Sequence, residues 1–192
     1  MKIRPILLAS GNSKRFGENK LLYSLNNKPI ICHIMDELFN LVEKKVVTTP
    51  FVVTQYEEVS ALAKKRDFRV LWNNFPQNGI SESIKIGVLA DNHADAYIFL
   101  TGDQPYLKAE VIEGFIQGFI NAGKELACVV SDDSMGSPTI FSKKYRNELL
   151  SLNGDIGGKI IIKKNKSGIF FYNVDFHAMK DIDEKIDLDN TF

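Results

Sequence analysis

Short apolar runs of strand length alternate with amphipathic helical stretches along most of this chain, and few architectures accommodate that rhythm. Residues 6–9, 51–54, 69–73, 96–101 and 126–131 read as strands. Pro5 is tolerable only where the first of them begins, and the second can be drawn back to Val46. Ile30, Ile34, Leu38 and Leu41 recur at helical spacing, so 29–41 reads as a helix opened by proline. Residues 56–66 and 79–90 follow as helices, the latter with Asn78 placed to cap it. Ile112, Phe115, Ile116, Phe119 and Ile120 mark one buried helix face. The rhythm then changes to a turn at 132–136, a strand at 138–141, helices at 143–152 and 157–164, and a strand at 168–174. The run 96–101 is apolar throughout, as in a strand covered on both faces. The pattern predicts a three-layer α/β/α sandwich with a mostly parallel sheet. Ligands of such folds bind outside the carboxyl ends of the strands, which directs attention to the residues after Ala9, Asn73 and Thr101.

No repeat, linker or low-complexity tract divides the 192 residues, so a single domain, 1–192, is expected. Lys plus Arg and Asp plus Glu both number 24, and this zero formal charge argues against a nucleic-acid partner. No segment approaches 18 apolar residues, so no membrane partner is expected either. Cys32 and Cys128 belong to no metal-binding spacing and read as buried thiols of a cytoplasmic protein. The three histidines, His33, His93 and His177, fall outside every motif.

The segment from Leu8 and Ala9 through Ser10, Gly11, Asn12, Ser13, Lys14, Arg15, Phe16, Gly17 and on to Lys20 follows the first strand directly. Two glycines allow a tight turn with several N–H groups aimed at one spot, and three cations add positive charge. The loop reads either as a triphosphate cradle or as a surface turn with solvated charges. It is neither a Walker A loop, since Glu18 follows Gly17 where Lys-Ser/Thr is required, nor a GxGxxG loop. Asp103, in Thr101-Gly102-Asp103-Gln104-Pro105, stands where the buried strand ends, with Gly102 removing a side chain beside it. Its carboxylate suits Mg²⁺, which takes one or two carboxylates together with substrate phosphates. The competing reading is a turn or cap before the next helix. Residues 78–83 open a helix, whose free N–H groups attract anions.

These strings together resemble the GT-A-like (Rossmann-like) nucleotidyltransferases, and among them the molybdenum cofactor cytidylyltransferases. The pattern Leu-x-x-Gly-x-Ser-x-Arg-x-Gly followed by lysine is similar to their signature loop, and Gly102-Asp103-Gln104-Pro105 to their metal motif. The resemblance spans roughly residues 6–183. It implies that the loop amides and Arg15 hold the outer phosphates of CTP, that Lys20 reaches the α-phosphate, and that Asp103 holds Mg²⁺. It also implies substrate contacts from Gly79, Ser81 and Ser83. Asp155, in a Gly-Asp-x-Gly string before a helix, contacts the acceptor or caps that following helix. Asp181-Ile182-Asp183 resembles the family's terminal string, and Asp183 either completes the metal site or belongs to a solvated acidic tail. Ser137 departs from the family's histidine, so no role passes to it. Ala9-Ser10-Gly11 is sterically nearer the family's cytidine loop than its guanosine loop. The implied reaction transfers CMP from CTP to molybdenum-molybdopterin and releases pyrophosphate, with a molybdenum hydroxylase receiving the product. The alternatives are a guanylyltransferase or sugar-phosphate nucleotidylyltransferase of the same fold, and a non-catalytic carrier of the cofactor. Direct in-line transfer needs no nucleophile–base relay, only positioning and charge neutralisation.

Overall fold

The computed structural model describes residues 1–13, 15–132, 134–165 and 168–189. Its strands are β1 (Ile3–Ala9), β2 (Ser24–Leu25), β3 (Lys28–Pro29), β4 (Phe51–Thr54), β5 (Arg69–Trp72), β6 (Ala96–Thr101), β7 (Leu126–Ser131), β8 (Ser134–Ser142) and β9 (Ile169–Asn173). Its helices are α1 (Ile30–Glu43), α2 (Glu57–Lys64), α3 (Ile80–Leu89), α4 (Ala109–Ala122), α5 (Arg146–Leu150), α6 (Lys159–Lys164) and α7 (Ile186–Asp189). Seven strands form one sheet in the order β5-β4-β1-β6-β8-β7-β9, while β2 and β3 pair separately. The pairs β5–β4, β4–β1, β1–β6 and β7–β9 are parallel, and β8 alone runs against its neighbours.

Successive side chains of β6 enter opposite faces, both buried, which explains its uninterrupted apolar run. Ala96, Ile98 and Leu100 pack with α1, α2 and α4 on one face. Tyr97 and Phe99 pack with α3, α5 and α6 on the other. The sheet is therefore covered on both sides, as the alternation predicts. The carboxyl ends of β5, β4, β1 and β6 line up along one edge of this layer.

Several local expectations give way. Pro5 lies inside β1, not at its start, in a stretch where the chain pairs with β6 but the pairing with β4 begins only at Ile6. Its missing N–H therefore falls where β1 has one strand neighbour, not two. Strand β4 does not reach back to Val46, because the chain turns at Lys45 with φ 59° and Val46 N–H still bonds Leu41 O. Asn78 ends a 3-10 turn and does not cap α3, whose cap residue is Gly79 with no side-chain bond of its own. The expected turn at 132–136 is shorter, and β8 begins at Ser134; Asp133 lies outside the described residues. The helix at 143–152 divides into a 3-10 turn, Lys143–Tyr145, and α5. Ile120 is 38% exposed at the end of α4, so the buried face stops at Phe119.

Candidate active site

The first loop leaves β1 and is held from behind by the turn that follows β4. Thr54 Oγ1 donates to Ala9 O at 3.0 Å, Gln55 Nε2 to Ser10 O at 2.8 Å, and the Tyr56 hydroxyl to Gly11 O at 2.8 Å. A trans peptide points its N–H opposite its carbonyl. Turning the Ser10 and Gly11 carbonyls toward Gln55 and Tyr56 therefore directs the Gly11 and Asn12 amides away from that turn. Both residues line a cleft of about 700 Å³ in front of the loop. Gln55 Nε2 also reaches Asn12 Oδ1 at 2.9 Å. Ser10 is 7% exposed, and its hydroxyl donates to Val53 O at 3.1 Å. Ser13 closes the turn: its carbonyl accepts from Phe16 and Gly17 N–H, and its hydroxyl accepts from Lys20 N–H at 3.3 Å.

Charge gathers where the cleft meets the end of β6. Lys20 Nζ lies 2.7 Å from Asp103 Oδ2 and 2.9 Å from Asp183 Oδ1, and Arg15 Nη2 lies 2.8 Å from Asp183 Oδ2. Burial alone would pull the Lys20 ammonium down; Asp103 and Asp183 outweigh it, and its pKa stands above the usual lysine value. Burial pushes Asp183 the other way, yet Lys20 and Arg15 hold it below the usual carboxylate range. Asp181 has an exposed side but is crowded by protein on the other, and that desolvation, then the neighbouring charges of Asp103 and Asp183, push it up to about 7. The segment carrying these two aspartates is docked by Ile182, whose N–H bonds Asp103 O at 3.0 Å and whose side chain is fully buried beside Phe16, Leu25 and Ile30. Gln104, 1% exposed, donates to Met179 O at 3.0 Å and ties the same segment to the end of β6.

Asp103 Oδ1 is buried without a hydrogen-bond partner. A carboxylate oxygen left this way is costly, and a divalent cation would relieve it. Among the described residues no three His, Cys, Asp or Glu side chains form a ready metal cage. That donor set fits Mg²⁺, which completes its shell with water and phosphate oxygens. Asp183, the second expected ligand, is engaged with Arg15 and Lys20 instead.

Away from this charge, the cleft is lined by Asn73, Pro76, Gln77, Ile80 and Ser83. Gly79 shapes this end. Its φ is 80°, and a Cβ there would fall 2.5 Å from the Gly154 carbonyl carbon and oxygen. The Gly154–Asp155 turn therefore lies directly on the start of α3. Asp155 Oδ1 accepts from Ile80 N–H at 3.4 Å, so it caps α3, 75 residues back in sequence, and not the helix that follows it, α6, which has no side-chain cap.

One cleft thus gathers Leu8, Ala9, Ser10, Gly11, Asn12, Ser13, Arg15, Lys20, Gly79, Ser83, Asp103, Asp155 and Asp183. Ser81 is 1% exposed and off the cleft, its hydroxyl turned to Asn78 O at 3.4 Å as a local cap. Gly17 is exposed and also off the cleft. Lys14 lies outside the described residues. Gly102 also lines the cleft, but a Cβ there would meet the Leu21 and Ile31 side chains at 3.2 and 3.3 Å, so its bare position serves close packing against them. Gln55 and Tyr56 escaped the sequence reading. The rule that ligands gather at carboxyl strand ends applies to β4 as well and would have found them.

The cleft lies outside the carboxyl ends of parallel strands in a layered α/β domain, the place where the ligand-binding α/β class carries its sites. The chain belongs to the family described as the MobA-like NTP transferase domain, whose model matches residues 5–168. A Pyrococcus horikoshii protein named "probable molybdenum cofactor guanylyltransferase" is 31% identical over 134 residues, 67% of this chain and 62% of that one. The matches thus span about six-tenths of such curated relatives' length. A nucleotidyl transferase from Methanothermobacter superposes with a TM-score of 0.79 at 19% identity, covering 97% of this chain and 94% of that one. Rv0371c of Mycobacterium tuberculosis, solved in complex with manganese, superposes with a TM-score of 0.73 at 18% identity, covering 91% and 89%. These two likenesses establish the fold.

Proposed function

We propose that this chain is a Mg²⁺-dependent nucleotidyltransferase that transfers CMP from CTP to the terminal phosphate of molybdenum-molybdopterin and releases pyrophosphate. The observation that carries the reading is Lys20 bound to Asp103, with the second Asp103 oxygen buried and unpartnered, in front of a loop whose amides face the same cleft. A phosphate oxygen of the acceptor attacks the α-phosphorus, and the α–β phosphoanhydride bond breaks. Lys20 opposes the charge that grows on the α-phosphate. Arg15 and the Gly11 and Asn12 amides hold the departing pyrophosphate. Asp103 and Asp183 would hold the cation, which supplies charge neutralisation among the phosphates when bound; a structural neighbour was solved with manganese. Asp183 must then give up its pairs with Arg15 and Lys20, which frees both cations for the triphosphate.

Cytidine is supported by Ser10, whose side chain and its bond to Val53 O occupy space beside the cleft that a glycine would leave open. The second reading, GTP as donor, is favoured by the names of the curated relatives. A carrier without catalysis has no use for a lysine raised between two carboxylates at the mouth of an anion loop. The family description and the relatives' names support the molybdenum cofactor as acceptor over a sugar phosphate. A molybdenum hydroxylase would receive the dinucleotide product. Two free, buried thiols suit a reducing cytoplasm.

The test is pyrophosphate release with molybdenum cofactor as acceptor and each NTP in turn. Turnover with CTP exceeding that with GTP is the result expected. Faster turnover with GTP would replace the cytidine assignment, and release with neither would overturn the reaction.

A further inference from the structure

Beyond the last backbone pair of β1 and β4, side chains carry the register of the sheet into the first loop. The last strand partners are Ala9 and Thr54, and the Thr54 hydroxyl bonds Ala9 O across that same 45-residue offset. Gln55 then meets Ser10 O and Tyr56 meets Gly11 O, both again 45 residues apart. Three consecutive loop carbonyls are thus taken by three consecutive side chains. A surface loop ordinarily leaves such groups to water.

The polarity of this ladder follows from the backbone. A carbonyl only accepts, so the Gln55 atom facing Ser10 O is its NH₂ nitrogen, and the Tyr56 hydroxyl gives its single proton to Gly11 O. The same Gln55 nitrogen meets Asn12 at Oδ1, 2.9 Å away, which turns the Asn12 NH₂ group away from the clamp. The Thr54 hydroxyl gives its proton to Ala9 O and accepts from Tyr56 N–H at 3.1 Å. Tyr56 also stands at the cap position of α2 and packs against the core, so the clamp rests on a fixed base. Burial raises the Tyr56 phenol above its ordinary pKa, which keeps that donor proton in place at neutral pH.

Neither Gln55 nor Tyr56 lines the cleft, so what they do there is done through the loop. A Cβ at Gly11 would have nothing within 4 Å, and packing alone would not stop the peptides on either side of it from flipping. A peptide whose carbonyl is held cannot turn its N–H. Resting on the nucleotide reading above, we propose that Gln55 and Tyr56 are positioning residues for the transfer, holding the Gly11 and Asn12 amides ready for the pyrophosphate leaving group. Donors fixed in advance need no reorganisation as charge passes to the leaving group.

Tyr56→Phe keeps the ring and removes the hydroxyl; Gln55→Met keeps the length and removes the NH₂ group. Calorimetry with Mg²⁺ present, using inorganic pyrophosphate and the nucleoside monophosphates CMP and GMP, tests both variants beside turnover and thermal unfolding. Each variant should bind pyrophosphate about tenfold more weakly, the scale of one well-made hydrogen bond, and turnover should fall at least as far. The monophosphate that the wild-type protein binds should stay within about twofold, because its single phosphate is met by Lys20 and not by the loop amides. Pyrophosphate and monophosphate weakening alike would mean a general loosening of the cleft and would overturn the proposal. So would a lowered unfolding midpoint with pyrophosphate affinity intact, which marks a purely structural clamp. If one variant does not fold, the other decides. Should the wild-type protein bind neither pyrophosphate nor any NTP, the nucleotidyltransferase reading itself fails; pyrophosphate bound equally by the wild type and the variants defeats only this inference.

Discussion

Lys20 sits between two carboxylates and beside the outlet of the anion loop, a place where a lysine does more than decorate a surface. Burial works against its charge and Asp103 and Asp183 restore it, so the ammonium is held charged between its two partners. Replacing it should therefore act on the transition state more than on binding. Lys20→Ala should lower turnover by on the order of 10²–10³, as losing one such donor does. The affinity for NTP should fall much less, since Arg15 and the amides remain. Steady-state kinetics beside a binding isotherm would check this, and near-normal turnover in a folded variant would return Lys20 to a loop charge. At this scale the sequence was most informative where residue type and strand end coincide, as at Asp103. It was silent on Asp183 as the partner of Arg15 and Lys20, because that pairing joins positions more than 160 residues apart.

Between elements, the cleft is shaped by two connections that local pattern does not reveal. One is the segment 175–185, pinned by Gln104 and by the buried Ile182, which brings Asp181 and Asp183 over the end of β6. The other is the Gly154–Asp155 turn seated on the first residues of α3. Helix period located α1, and unbroken apolar runs located β4, β6 and β7, because burial on one face recurs every third or fourth residue of a helix whereas burial on both faces marks nearly every residue of a strand. Start signals fared worse. Asn78 stands at the cap position a sequence reader would choose for α3, yet the cap is supplied by Asp155 from the turn seated against it. Gly79 is where that arrangement is most exposed to test. Gly79→Ala forces a Cβ at positive φ and into Gly154 backbone. It should destabilise the fold by about 2 kcal/mol or more, seen as a lower unfolding midpoint, and should weaken NTP binding as Ile80 and Ser83 shift. An alanine variant with unchanged stability and binding would mean that α3 and the turn are not held together there.

Across the whole molecule, the sheet order places the loop after β1 between the acid–base cluster at the end of β6 and the uncharged recess at the end of β5. The continuous apolar run of β6 announced the layered fold, and the order of motifs along the chain announced the cleft. Which neighbour each strand would take, and the reversal of β8, were beyond the pattern, since a run of apolar residues reads the same in either direction. The whole scheme turns on Asp103, and its most direct test is Asp103→Asn, assayed for turnover across a Mg²⁺ titration alongside thermal unfolding of the metal-free protein. Asparagine keeps the shape and caps a helix about as well, but it removes the charge that holds the cation. The account predicts that turnover collapses and the Mg²⁺ requirement rises steeply, while the unfolding midpoint hardly moves. Activity retained at saturating Mg²⁺ together with a loss of stability would contradict it, and would make Asp103 a structural residue.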